Sequence, residues 1–448
     1  MSTSPAAPVA PGTQKFNTIV RHPMLWVPTL YLAMGIPNAT VSQVAAIMYK
    51  NLGVPVEKIA LYTGLMYLPW VLKPLWSPFM EPFKTKRWWV ISMEFLMAVA
   101  TMAAGLALHL PNYFALTIGL FWIIGFASGT QDIAADAVYM TSLTSKVQAQ
   151  YAGIQGMCWN AGAIFASGVL VVVTGRMHDN FGFDWAQSWL VVIGLIAATL
   201  ALCGFWHLRV LPPGEPSKLH GGTFGDAFRS LSETWTTFFQ KKQIWMMLFV
   251  VFMYRFGEGF IEKFGPLFLL DDRAHGGLGL SNQALGIING TLGTGGFIVG
   301  ALLGGLLASK MTLRRSFVIL ALALNIPHLT YFLLSTWMPN DPWLVGTVVT
   351  VEKFGFGLGS IGHMLYMMQQ LAPGPYKMSH YAFATGVMAL TKWSTGSISG
   401  WVYEQCGHNY HTFFIFVLVA SIPPIVTSWF APFPQPDEPE AGVAVTGH

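Results

Sequence analysis

The sequence predicts an all-α membrane protein with twelve transmembrane helices in two six-helix, pseudo-symmetric bundles. Of its 448 residues, 53% are hydrophobic and only 10% are charged, whereas typical soluble domains carry roughly 25% charged residues. Apolar runs of about 20 residues, the length that a helix needs to cross a bilayer, recur along the chain. The longest polar interruption, 210–242, separates six runs from six others. The low charge and the repeated runs together indicate the helical membrane class.

Each apolar run is a predicted span, and the spans are numbered 1 to 12 in chain order. They are 24–49, 57–80, 87–109, 113–142, 148–175, 186–209, 243–271, 282–310, 314–337, 341–371, 377–404 and 411–432. The predicted domains are a cytoplasmic tail (1–22), an N-terminal bundle (23–210), a cytoplasmic linker with an amphipathic helix (211–242), a C-terminal bundle (243–433) and a cytoplasmic tail (434–448). About fifteen of the 24 Lys and Arg residues fall on the side of the two termini. Because positively charged loops stay in the cytoplasm, we expect both termini there.

Two pairs of segments indicate that the halves are related. "LGVPVEKIALYTG" (52–64) and "LGLSNQALGIING" (278–290) begin and end alike, and each leads into an equivalent span. The turns that follow also share one spacing, in Ser77–Glu81–Lys86–Arg87 and Gly305–Ser309–Arg314–Arg315. Two related six-helix halves are a transporter plan that holds the substrate between them near the midplane. The alternative is a chance similarity between apolar helices.

Three motifs resemble those of one family. "KPLWSPFMEPF" (73–83), "GTQDIAADAVYM" (129–140) and "YRFGEG" (254–259) are similar to signatures of the AmpG-type muropeptide permeases. That branch of the major facilitator superfamily also includes acetyl-CoA transporters and certain siderophore permeases. The resemblance implies the major facilitator fold, in which helices 1, 4, 7 and 10 line a central cavity. The chain departs from the superfamily's turn motif, because Glu81 and Ser309 stand where the motif has Asp.

The stretch "YRFGEGFIEKFG" (254–265) places four charges inside span 7, where ionisable side chains are costly and mark functional sites. Arg255, Glu258 and Glu262 occur at i, i+3 and i+7, so they form one stripe along the helix. Arg255 is able to pair with Glu258 or to hold a substrate anion through a bidentate contact. We predict proton coupling through these three residues, with Glu258 as proton carrier and Arg255 controlling its protonation. The alternative is a static ion-pair network that holds the helix in place.

Further charged residues indicate a gate. Asp132 and Asp136, spaced i, i+4 on span 4, face one way, and Lys73 on span 2 lies at a similar depth. A bridge from Lys73 to Asp132 or Asp136 would either close an inner gate or only satisfy the charges. The predicted gating residues are Lys73, Glu81, Asp132, Asp136, Arg314 and Arg315.

Polar and aromatic residues within the spans are the candidates for substrate binding. They are Asn38, Gln43, Trp159, Asn160, Glu352, Lys353, His363, Lys392 and Trp393. Trp159 beside an amide suits a sugar ring, and packing is the alternative role for this residue and for Trp393. An imidazole is able to titrate near neutral pH, and the alternative for His363 is a hydrogen bond to a neighbour.

Together these features predict a secondary active transporter: proton-coupled import of a glycan-derived solute, a muropeptide or oligosaccharide, by alternating access across a bacterial inner membrane. Alternatives with the same fold are a siderophore permease and a permease for an acetyl-CoA-like anion. An alternative of another class is a membrane sensor or enzyme on a transporter scaffold. The sequence contains no ATP-hydrolysing motif or catalytic cluster, and its three cysteines form neither a disulfide framework nor a metal spacing. We therefore expect no enzyme activity, no cofactor and no nucleic-acid partner, but a monomer that binds a small-molecule substrate and protons within the lipid bilayer.

Overall fold

The computed structural model describes residues 22–213 and 224–435, and this part of the chain consists of helices without any β-strand. The predicted tails, 1–22 and 434–448, lie almost entirely outside the described residues, as do residues 214–223 of the predicted linker. A helix is described at every predicted span. In chain order these are α1 (Pro23–Asn51), α2 (Val56–Leu65 and Leu68–Met80), α3 (Lys86–Ala107), α4 (Tyr113–Ser142), α5 (Ser145–Phe181), α6 (Trp185–Val210), α7 (Ile244–Leu270), α8 (Gly286–Lys310), α9 (Leu313–Trp337), α10 (Pro342–Leu371), α11 (Lys377–Gln405) and α12 (Tyr410–Trp429).

Ten of these helices are long and apolar enough to cross a membrane, counting only the residues that the structure describes. The other two are α2 and α11. The first is interrupted at Met66 and Tyr67, so neither of its segments reaches the length of a span. The second is long enough, but its Lys, Ser and Thr residues make it less apolar than a lipid-facing helix. Both helices lie where the two halves of the chain meet, and there a polar surface is tolerated.

Local sequence signals explain several of the helix ends. The Thr85 hydroxyl accepts a hydrogen bond from the backbone N–H of Trp88 at the start of α3. Asp184 and Gln187 form a reciprocal capping box at the start of α6. The loop before α6 begins with Gly182, whose φ of +71° ends α5 in the left-handed conformation that glycine adopts without strain. Such caps satisfy the backbone groups that a helix end leaves free.

The two halves of the chain meet near the end of the bundle where α1 begins and α12 ends, which we call the termini end. A Cβ added to Gly153 of α5 would lie 2.5 Å from Leu302 Cα of α8, so these helices touch backbone to backbone. Likewise, a Cβ added to Gly386 of α11 would lie 2.8 Å from Pro74 Cγ of α2. These crossings are six to nine residues from the helix ends, or about 9–14 Å at 1.5 Å per residue. The halves are therefore closed against each other on the termini side.

The linker helix (Phe224–Phe239) lies across this closed end and contacts both halves. On the N-terminal half, Ser230 Oγ donates to the carbonyl of Pro78 at 3.1 Å. On the C-terminal half, the Tyr376 hydroxyl donates to Glu233, and the Trp235 and Phe383 rings are 4.8 Å apart. A helix of the predicted linker segment thus bridges the two halves.

Candidate functional site

α7 is interrupted in its middle by Arg255, which has φ −111° and ψ 18° between two helical segments. Close packing against α11 accompanies the interruption: a Cβ on Gly259 would lie 2.0 Å from Thr395 Oγ1. The Thr391 hydroxyl of α11 donates to the carbonyl of Phe252 at 2.9 Å, one turn before the break. A side chain that inserts into the helical hydrogen-bond ladder is a recognised cause of such breaks. At the break, the Arg255 guanidinium lies against Phe356 of α10 and Met388 of α11.

The guanidinium of Arg255 forms an ion pair with Glu258. Its Nη2 and Nε donate to the same oxygen, Glu258 Oε2, at 2.9 Å and 3.2 Å. On its other side, its Cζ atom lies 4.8 Å from the centre of the Phe356 ring of α10. The Lys353 ammonium lies 5.8 Å from the same ring. The Phe356 ring therefore lies beside both cations.

Two further ion pairs flank this one. Glu262, one turn beyond Glu258, pairs with Lys392 of α11, and both side chains are exposed. On α10, Lys353 Nζ lies 3.0 Å from Glu352 Oε2, and Glu352 is completely buried. The stripe predicted on α7 thus contacts α10 through Arg255 and α11 through Glu262. Its three charged residues take part in two ion pairs.

The N-terminal half contributes a smaller charged cluster. Lys73 of α2 pairs with Asp132 of α4, one of the two bridges that the sequence allows. Asp136 accepts a hydrogen bond from the Tyr31 hydroxyl of α1 at 2.9 Å. Tyr381 of α11 lies within electrostatic range of both aspartates. This cluster therefore faces the C-terminal half.

Tyr67, at the break in α2, connects the two clusters. Its phenol lies within electrostatic range of Lys73 in its own half and of Arg255 and Lys392 in the other half. Its ring is exposed and stacks on Trp70 at a centroid distance of 5.5 Å. Tyr67 therefore lies near charged residues of both halves.

The predicted gating residues differ between the two matching turns. Glu81 pairs with Lys86 at 3.2 Å and also accepts hydrogen bonds from the N–H and hydroxyl of Ser379. Arg314 and Arg315 are exposed at the equivalent turn, and neither forms an ion pair with a residue that the structure describes. Only the first turn therefore links the halves through a carboxylate.

The remaining predicted binding residues occupy different environments. Gln43 and Trp393 are exposed, whereas Asn38 and Trp159 are half-buried. Asn160 Nδ2 donates to the carbonyl of Gly156 in its own helix at 2.8 Å.

His363 is buried, and its ring stacks on Tyr254 at 4.9 Å between α10 and α7. The contact with Tyr254 is ring packing, whereas the alternative predicted for His363 was a hydrogen bond to a neighbour. Binding through the other members of the set stays a prediction.

Sequence reasoning missed a buried polar network inside the N-terminal half. His207 Nδ1 of α6 lies 2.8 Å from Glu94 Oε1 of α3, and both side chains are completely buried. Gln131 of α4 donates to the same carboxylate at 2.9 Å, and Thr29 of α1 contacts His207 Nε2 at 3.0 Å. The available signal was Glu94 itself, since a lone acid in an apolar span requires a partner. The network ties four helices together.

A separate cavity of about 380 Å³ lies between α8 and α10, away from the charges. Its lining is formed by Gly295, Gly296, Val299, Thr350, Val351 and Phe354. These side chains provide no charge to orient a polar solute, so the candidate site remains the space between the halves.

Comparison with known proteins decides the class. The model of the Major Facilitator Superfamily matches residues 29–401. The chain belongs to this superfamily. It is accordingly a transporter of small molecules rather than an enzyme, and a multi-pass integral protein of the inner membrane. The predicted all-α major facilitator fold is confirmed, as is the resemblance on which the family prediction depended, while the count of twelve membrane spans stays a prediction.

Several relatives within the superfamily match most of the chain. The anhydromuropeptide permease of Escherichia coli K12 is 24% identical over 402 residues, covering 89% of this chain and 77% of the permease. An uncharacterised protein of Haemophilus influenzae is 24% identical, with 91% and 94% covered. The transporter AmpG 4 proposed in Rickettsia conorii is 21% identical, with 88% and 92% covered.

A solved structure shows the same fold. The fucose:proton symporter of Escherichia coli superimposes with a TM-score of 0.70 at 13% identity, covering 92% of this chain and 98% of the symporter. At this identity the similarity describes the architecture of the superfamily alone.

Proposed function

We propose that this protein imports a glycan-derived solute, a muropeptide or oligosaccharide, in symport with protons by alternating access. In this proposal the monomer is the working unit and both termini are cytoplasmic. The termini end is then the inner gate, and the space between the halves opens to the periplasm. The predicted bundles, 23–210 and 243–433, are the units that move against each other.

The observation that carries the proposal is the Arg255–Glu258 pair at the break in α7. Glu258 is a buried carboxyl whose direct ion-pair partner is Arg255. When Glu258 takes up a proton, its attraction to Arg255 falls, and the guanidinium is released toward other acceptors. A carboxyl whose ion pair breaks when it binds a proton is able to link proton binding to rearrangement of the halves.

Charge balance supports a solute of low charge. The cations of the C-terminal cluster, Arg255, Lys353 and Lys392, are each paired with a glutamate. A strongly anionic ligand such as an acetyl-CoA-like molecule would require an excess of unpaired cations. The stacked Tyr67–Trp70 surface suits a sugar ring, and one relative is named an anhydromuropeptide permease.

The proposal is tested with purified protein in proteoliposomes and a labelled anhydromuropeptide. An inward proton gradient should drive accumulation above equilibrium, and a protonophore should abolish it. Glu258→Gln should keep exchange of labelled for unlabelled solute but lose gradient-driven accumulation, because the coupling carboxyl is gone while the binding space remains.

Glu404→Gln is the matched control, since Glu404 is an exposed acid at the far end of α11. It should transport like the unmodified protein. Uptake that is insensitive to the gradient in both the unmodified protein and Glu258→Gln would contradict proton coupling. Gradient-driven uptake of fucose but of no muropeptide would contradict the proposed solute class.

A further inference from the structure

The three ion pairs of the C-terminal half differ in the exposed fraction of their side chains. The side chains of Lys392 and Glu262 are 60% and 38% exposed. Those of Arg255 and Glu258 are 20% and 4% exposed. The third pair includes Glu352, which is completely buried. The Glu262–Lys392 pair is therefore the most exposed of the three.

An open ion pair is easily exchanged. Water screens such a pair and solvates both partners, so the pair contributes little net stability. A carboxylate on a solute offers Lys392 the same charge-assisted contact that Glu262 offers. Exchange of one carboxylate for the other at Lys392 consequently has a small cost, whereas breaking the buried Arg255–Glu258 pair leaves an unpaired buried charge.

We propose that Lys392 is a carboxylate subsite: a carboxylate of the solute displaces Glu262 from Lys392, and the Glu262–Glu258 pair then takes up the co-transported proton. This inference rests on the function proposed above. It adds the chemical class that the solute carries, a glycan-derived molecule with a free carboxylate. No covalent bond changes, because a proton from water binds a glutamate oxygen as the solute anion binds the ammonium.

The arrangement of charges explains why the two events are linked. Glu262 and Glu258 are four residues apart on one face of α7, where like charges repel. Once Lys392 has turned to the solute, protonation of one glutamate relieves that repulsion. The incoming negative charge and the proton cancel, so the space between the halves gains no net charge.

The other groups around the two glutamates do not replace Lys392. Arg255 on α7 is held by Glu258, and Lys353 on α10 is held by Glu352. From the N-terminal half, Tyr67 on α2 faces Arg255 and Lys392.

The test uses the full chain in proteoliposomes and two probes: an anhydromuropeptide with free peptide carboxylates, and its counterpart with every carboxylate converted to an amide. Lys392→Gln should raise KM for the acid probe at least tenfold and leave KM for the amide probe within twofold. Uptake of the amide probe also shows that the variant is folded. Lys392→Arg should restore the KM of the acid probe.

Proton uptake on binding is measured with a pH indicator in weakly buffered detergent solution. The acid probe should draw about one proton per protein from solution and the amide probe none, as expected when one carboxylate replaces another at Lys392. Glu262→Gln should bind the acid probe without proton uptake.

Two outcomes separate this inference from the proposed function. An equal rise in KM for both probes in Lys392→Gln, or proton uptake with the amide probe, overturns the subsite and leaves proton symport intact. If the unmodified protein accumulates neither probe under a proton gradient, the proposed function fails and the subsite fails with it.

Discussion

The carboxylate of Glu81, in the turn between α2 and α3, accepts hydrogen bonds from both the backbone N–H and the hydroxyl of Ser379, each at 3.2 Å. Ser379 lies in the first turn of α11, so the contact joins the two halves of the transporter. A carboxylate at a helix N-terminus interacts favourably with the free N–H groups and the helix dipole. The Glu81–Ser379 contact therefore stabilises closure of the termini end.

Removing this contact should open the termini end. A hydrogen bond to a charged group contributes about 1.5–3 kcal/mol, so Glu81→Ala should shift the population toward the open form by about tenfold or more. Spin labels at Lys84 and Arg314, in a background without the three native cysteines, report the distance between the halves. A longer distance is expected in Glu81→Ala. Glu404→Ala, at the opposite end, should leave the distribution unchanged, and an unchanged distribution in Glu81→Ala would contradict the role of the contact.

A larger residue at Gly153 should prevent closure. Its Cβ would lie 2.5 Å from Leu302 Cα, a backbone atom that is unable to move aside. Overpacking of this kind costs about 1–3 kcal/mol, so Gly153→Ala should lower the rate of gradient-driven uptake by about fivefold or more. Gly175→Ala is the matched control, because no atom lies within 4 Å of the added Cβ in the same helix. Equal rates in the two variants would contradict tight closure at the α5–α8 crossing.

The Glu94–His207 pair should be important for stability. Removing one partner of a buried hydrogen-bonded pair leaves the other unsatisfied, which costs about 1–3 kcal/mol. Glu94→Ala should therefore lower the thermal unfolding temperature in detergent by several degrees. Replacing both residues by leucine should recover part of the loss. A double variant less stable than Glu94→Ala would contradict the pairing.

Docking of the linker helix should depend on pH through Lys241, which lies outside the spans. Its ammonium donates to the carbonyls of Leu371 and Pro373 at the end of α10. Burial lowers the pKa of Lys241 from 10.5 to about 7. Between these values the undocked lysine binds more protons than the docked one, so docking strengthens as pH rises through this window and is weakest below pH 7.

Hydrogen exchange of the linker-helix amides, corrected for intrinsic rates, measures this docking. Protection should increase between pH 7 and 9 by at most about tenfold per pH unit, the limit for one proton. Lys241→Met removes the titrating group and should show protection that does not vary with pH. A pH dependence that survives in Lys241→Met would assign the effect to another group.

The extents of the spans were largely predictable, because an apolar run long enough to cross a bilayer also sets the ends of its helix. Span 4, at 113–142, matches α4 at both ends, and span 8, at 282–310, ends with α8 at Lys310. The interruption at Arg255 was not predictable, since it depends on the Thr391 hydroxyl of another helix. The break at Tyr67 does carry a local signal, because Pro69 stands in the first turn of the second segment of α2.

Pairing between distant helices was the least predictable property. The spacing of Asp132 and Asp136 left two partners for Lys73, and only the packing of α2 against α4 selects Asp132. Glu262 and Lys392 are 130 positions apart, so no periodicity connects them. His363 illustrates the converse: its helix was placed correctly, but the direction in which a side chain points depends on packing against Tyr254.

The segment that joins the halves in the sequence also spans the seam between them in space. It contacts α2 through Ser230 and α11 through its aromatic rings. The halves can therefore separate at that end only if one of these two contacts breaks. In the proposed import cycle, release of the solute at the termini end therefore costs the free energy of breaking a linker-helix contact in addition to that of the contacts between the halves. A linker without these contacts would lower the free energy needed to open the termini end, and opening would then be restrained only by the contacts between the halves.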